Sequence, residues 1–145
     1  EILGERYNVA ADVWSITSYK ELYMDGIECD RWNRLHGPED QKTTWIERCL
    51  GDTDGVYVAA SDYVKALPES VGKWFPKAPV ALGTDGFGRS ESRAELRRFF
   101  GVDAASIVVA TLDALAREGV VERAVVDQAI ADFGVDVDAP NPVKV

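Results

Sequence analysis

Apolar residues along this chain alternate in some stretches and recur at helical spacing in others, and the two kinds of stretch take turns. Ala10 to Thr17 (Ala-Ala-Asp-Val-Trp-Ser-Ile-Thr) grows rich in β-formers toward its end and predicts a first strand. Ser18 and Glu21 form an S-x-x-E capping box that opens a helix carrying Leu22. Gly26 is expected to break or kink that helix, with a further turn carrying Cys29, Trp32 and Leu35. His36-Gly37-Pro38-Glu39-Asp40 reads as a turn. Trp45, Ile46, Cys49 and Leu50 share one face at helical spacing, so Thr44 to Leu50 is a short helix. Val56 to Ala60 is a second, buried strand, closed by Ser61-Asp62 as the cap of a helix from Tyr63 to Trp74. Pro68 should kink that helix or divide it. Pro76 and Pro79 bound the loop before a third strand, Pro79 to Leu82.

The third strand runs into Gly83-Thr84-Asp85-Gly86-Phe87-Gly88-Arg89-Ser90-Glu91-Ser92-Arg93, with three glycines in six residues. Gly86 and Gly88 permit positive φ or close backbone approach, which presents Phe87 on a tight turn. Ser92 and Glu95 make another S-x-x-E box at the start of a helix that ends at Gly101. Asp103 caps an apolar helix with Ile107, Val108, Thr111, Leu112 and Leu115, stopped by Gly119. Val125, Val126, Ala129, Ile130 and Phe133 line one face of the last helix, and Gly134 stops it. Val135 to Val145 is expected to be an extended or frayed tail. Three strand–helix units define an α/β fold, a mostly parallel sheet with helices on both faces, as one domain over residues 1–145. So thin a parallel sheet rarely stands alone, and Glu1-Ile2-Leu3 reads like the tail of a helix. The expectation is a fragment of a larger protein that lacks its first strand.

Charge narrows the partners. A net charge of −9 and a pI near 4.6 argue against nucleic acid or an anionic membrane. No apolar run approaches the ~20 residues of a membrane span. Cys29 and Cys49 have neither the number nor the spacing of a disulfide framework or a zinc site, and read as two reduced thiols in a cytoplasmic protein.

The glycine stretch is the main candidate for chemistry. Gly83-x-x-x-x-Gly88-Arg89-Ser90 comes within one residue of a P-loop, whose backbone amides cradle phosphate at a helix N-terminus. Arginine stands where lysine belongs, the helix starts only at Ser92, and no apolar strand ending in aspartate follows to hold magnesium. The glycine spacing does not fit a dinucleotide fingerprint either. Arg89, Arg93, Arg97 and Arg98 form the one basic cluster, and Arg93 and Arg97 share a helix face. They could grip a carboxylate or phosphate, or pair with neighbours such as Glu91 and Glu95. His36, the sole histidine, reads as a loop residue, and the four tryptophans read as core or interface anchors. No catalytic, cofactor-binding or metal-binding residue emerges. The candidate interface or anion loop is Asp85, Gly86, Phe87, Gly88, Arg89, Ser90 and Arg93.

The segment Leu82 to Arg98 resembles a signature of the bacterial homodimeric pyruvate dehydrogenase first component, the thiamine-diphosphate-dependent decarboxylating subunit. The resemblance extends to Asp12 to Tyr19, Arg31 to His36, Ala60 to Tyr63, Val102 to Ala104 and Leu115-Ala116, in the family's order. It implies the family's C-terminal domain, of transketolase C-terminal type. It also implies that thiamine diphosphate, magnesium and the reacting histidines belong to the parent's other domains, so that this piece alone is inactive. The implied parent decarboxylates pyruvate and acetylates a lipoyl group of the dihydrolipoyl acetyltransferase component. The implied partners are the remaining domains of the parent, a homodimer partner and that acetyltransferase. Three roles remain open: a dimer-supporting structural domain, an interaction module docking another component, or a phosphate-binding protein using the glycine loop.

Overall fold

Helix signals dominate the computed structural model, which describes residues 1–145. Helix α1 (Ile2–Tyr7) is followed by α2 (Tyr19–Leu35), α3 (Trp45–Leu50) and strand β1 (Val58–Ala60). Then come α4 (Ala66–Glu69), β2 (Val80–Leu82), α5 (Arg93–Phe99), α6 (Ala104–Arg117) and α7 (Arg123–Asp132). Short 3₁₀ turns occupy Pro38–Asp40, Gly72–Trp74 and Pro142–Lys144. The caps read from sequence set three of the seven α-helix starts. Ser18 accepts from the Glu21 amide, Ser92 from that of Glu95 and Asp103 from that of Ser106. Thr44 and Glu47 complete a reciprocal box at α3.

The architecture is α/β with a parallel sheet, but the sheet has two strands rather than three. Val58, Ala59 and Ala60 pair in register with Val80, Ala81 and Leu82. The expected strand over residues 10–17 does not form. That stretch is exposed, Val13 to 95%, because nothing in the chain pairs with its backbone, and β-propensity without a ladder makes no strand. Helix α6 packs across both strands.

Other expectations are corrected by packing. Gly26 does not break α2, which runs unbroken for 17 residues. Instead a Cβ at Gly26 would lie 2.4 Å from the Trp74 indole, so the glycine lets the ring lie against the helix backbone. Trp45 is 55% exposed while Ile46 and Leu50 are buried, so it does not share their core face. Ser61-Asp62 does not cap a helix. The segment from Tyr63 to Trp74 yields only α4 and the Gly72–Trp74 turn, with Pro68 buried in the first turn of α4, where no amide is required. Nor is the tail wholly extended, since it closes into the turn at Pro142–Lys144.

Two clusters make the core. Ile46, Leu50, Val71 and Trp74 form one, with Tyr19, Leu22, Ile27 and Phe75 packed against it. Val108, Leu112, Val126 and Ala129 form the other, covered by Ile2, Leu3 and Tyr7 of α1. Residues 93–117 are apolar enough in composition to cross a membrane, yet Gly101 at φ +66° and the Asp103 cap divide them into α5 and α6. Helix α6 alone, at 14 residues, is shorter than the ~20 a bilayer requires.

Candidate functional site at the carboxyl ends of the strands

Parallel pairing of β1 and β2 brings their following loops side by side, and this creates the site. The ladder is prolonged by the Ser61 amide donating to Leu82 O at 2.9 Å. Thr84 N then donates to Tyr63 O at 2.9 Å, and Thr84 Oγ1 donates to Asp62 O at 2.6 Å. Asp85 accepts from the Lys65 amide at 2.9 Å, and its other oxygen lies 3.9 Å from the Lys65 ammonium. The first half of the glycine loop is thereby stitched to residues 61–65.

The second half is built differently. Gly86 takes φ +104°, and a Cβ there would lie 2.6 Å from the carbonyl oxygen of Pro142. Gly88 has neither positive φ nor a close neighbour, so the expectation of a special role holds for Gly86 alone. Phe87 projects into solvent, 83% exposed. The Arg89 guanidinium lies 4.5 Å from the centre of the Phe99 ring. Ser90 is exposed.

The arginines are not interchangeable. Arg97 pairs with Asp62 at 3.5 Å, and Arg98 donates to Gly134 O at 3.4 Å. Arg93 makes neither an ion pair nor a side-chain hydrogen bond, and Arg89 is held only by its stacking. The expected pairings with Glu91 and Glu95 do not form. Glu91 instead accepts from the Ser92 amide at 3.0 Å, taking the role that the capping box assigned to Glu95. The structure therefore brings Asp85, Gly86, Phe87, Gly88, Arg89 and Ser90 together on one loop and sets Arg93 on the first turn of α5. It adds Asp62, Tyr63 and Lys65, which sequence reasoning assigned to a helix cap and its helix. Their signal was the general rule that sites gather outside the carboxyl ends of parallel strands, applied to both strands at once.

Chemically, the first half of the loop spends its polar groups on its own backbone neighbours. Asp85 is consumed in holding the backbone of residue 65. No group of three His, Cys, Asp or Glu side chains gathers anywhere in the chain. His36 sits at the end of α2, stacked 3.7 Å from Trp32, with Nδ1 2.9 Å from Trp32 O. Both cysteines are free, and burial pushes the Cys29 thiol up, helped by the nearby Asp25 carboxylate.

A parallel βα core with its loops joined at the strand ends defines the class: the chain belongs to the transketolase-like C-terminal domain family, whose description "Transketolase-like TK C-terminal domain" matches residues 1–103. That match takes in α1 through α5 and the whole glycine loop. Over nearly its full length the chain is similar to the pyruvate dehydrogenase E1 component of Pseudomonas aeruginosa, 45% identical over 144 residues, 99% of this chain and 16% of that protein. It is 46% identical over 143 residues to the pyruvate dehydrogenase E1 component of Escherichia coli, 98% of this chain and 16% of that protein. The protein of the same name from Mycolicibacterium smegmatis is 40% identical over 136 residues, 94% of this chain and 15% of that protein. The chain thus spans about 16% of the length of the curated relatives it matches.

Proposed function

We propose that this chain is the C-terminal, assembly-supporting domain of a pyruvate dehydrogenase E1 component. In this reading the whole protein is a cytoplasmic homodimer that oxidatively decarboxylates pyruvate and passes the acetyl unit to the lipoyl group of the acetyltransferase component. Thiamine diphosphate and magnesium are then held outside this chain, whose contribution is a surface for other domains or for the second subunit. The observation that carries the surface role is the division of the glycine loop. Its polar groups from Thr84 to Asp85 are spent on holding its shape, while Phe87 is left in solvent. An aromatic beside an unpaired arginine fork is the composition enriched at interface hot spots.

The test is Phe87→Ala in the full-length protein, followed by sedimentation at micromolar concentration with turnover measured alongside. Truncating a buried aromatic anchor is expected to weaken assembly by about 1–3 kcal/mol. An unchanged dimer with normal turnover removes the interface role. Arg93, which has no partner, supports a second reading of the same loop as an anion-gripping site. Loss of turnover on Arg93→Ala with an intact dimer would favour it.

A further inference from the structure

We infer that the turn at Pro142–Lys144 is a strap that holds the outer half of the glycine loop in place. The inner half needs no such device, since Thr84 and Asp85 are tied to Asp62, Tyr63 and Lys65. From Gly86 to Ser90 the loop is exposed, and no hydrogen bond anchors its backbone. Arg89 lies over the Phe99 ring, and what touches the backbone is the Pro142–Lys144 turn, at Gly86. The carbonyl carbon of Pro142 and the Cα of Val143 lie 3.1 and 3.4 Å from where a Gly86 Cβ would stand, with the Pro142 oxygen nearer still. This is backbone against backbone, so no side chain can swing aside to relieve a crowded contact.

The tail is shaped for the contact before it arrives. Asn141 Oδ1 accepts from the Val143 amide at 3.0 Å, and the Lys144 amide donates to Asn141 O at 2.8 Å, closing a turn with Pro142 at its start. Further back, Asp136 closes a second turn by accepting from the Asp138 amide at 3.0 Å. Arg98 of α5 holds the root of the tail at Gly134 O. Two self-closed turns and a pinned root leave the tail little freedom to lose on docking, which favours the seated state. The strap couples the Pro142–Lys144 turn to the presentation of Phe87. That consequence rests on the interface reading above; the strap itself does not.

Proteolysis tests it in the full-length protein, diluted until sedimentation shows it monomeric so that no second subunit covers Phe87, because cleavage within a folded loop requires the loop to open and tracks the open population. Chymotrypsin cuts after Phe87 and trypsin after Arg89, and chymotryptic cleavage after Trp14 in the exposed stretch serves as the internal reference for the first. Gly86→Ala and deletion of residues 140–145 are each expected to raise cleavage at Phe87 and Arg89 about tenfold, with Trp14 unchanged. Asn141→Ala, which unties the turn but keeps the tail, should give an intermediate rise. Unchanged loop cleavage in the variant lacking residues 140–145 overturns the strap, and that variant decides the matter even if Gly86→Ala fails to fold. A strap confirmed by proteolysis with dimer assembly unaffected by Phe87→Ala would count against the interface reading and leave the strap standing.

Discussion

The two hydrophobic clusters contain the same number of buried residues and are assembled in opposite ways. Between α6 and α7, Val108, Leu112, Val126 and Ala129 meet as aliphatic side chains on helices that follow one another in sequence. Their contact depends on volume: the short link lays one apolar stripe against the next. In the other cluster Trp74 packs with Ile46 and Leu50 of α3 and reaches across to α2, where Gly26 makes room for the indole. Trp74 Nε1 donates to Asp30 at 3.1 Å, and Lys73 binds the other oxygen of the same carboxylate. Here shape and charge decide, and the partners lie more than 40 residues apart. A core built on volume is sensitive to lost atoms, and a core built on fit is sensitive to added ones.

The largest effect is expected at Leu112, which is fully buried. Leu112→Ala should destabilise by about 2–5 kcal/mol, through lost burial plus the cavity left between two helices. Chemical denaturation measures it, and a cost below about 1 kcal/mol would mean that α6 and α7 collapse onto the gap. Next comes Gly26→Ala, the converse substitution. Its methyl meets the Trp74 ring, and overpacking should cost about 1–3 kcal/mol, reduced by the better helix propensity of alanine. Tryptophan fluorescence and the denaturation midpoint report it together. A stabilised variant would show that Trp74 yields, and the contrast between the clusters would fail.

The smallest effect is electrostatic. Hydrogen bonds from the Lys73 ammonium and the Trp74 indole hold the Asp30 carboxyl below the usual carboxylate range. A depressed folded-state value means that this stability is fully present above the unfolded value, near pH 4, and is lost as pH falls through the lower folded value. The pair is largely solvated, so the contribution should stay under about 1 kcal/mol. Asp30→Asn should lower the urea midpoint at neutral pH, and the gap from wild type should narrow as pH falls below the usual carboxylate range. Leu112→Ala should keep its deficit at both. A gap for Asp30→Asn that persists in acid would assign Asp30 a packing role instead.

The candidate loop was legible in part. Three glycines after an apolar run, followed by Ser92 and an arginine-rich helix, locate it without any structure. That Gly86 rather than Gly88 is the special glycine was not legible, because the reason is Pro142, 56 residues away by number and in contact in space. Nor was the employment of Asp85, whose partner Lys65 is a residue of the preceding strand-end loop.

Local rules carry no information about which distant backbone arrives next to a residue. Helix starts at Ser18, Thr44, Ser92 and Asp103 were written in the sequence, since a cap bonds an amide three residues on. Stops at Gly101, Gly119 and Gly134 were written there too, because a left-handed residue ends a helix by itself. Tertiary structure alone decided that Gly26 sits inside a helix, that residues 10–17 remain unpaired, and that the tail returns to the glycine loop. A strand exists only through the ladder it joins, and a glycine's role is set by what approaches it. Both are properties of contacts between segments, which no single segment contains.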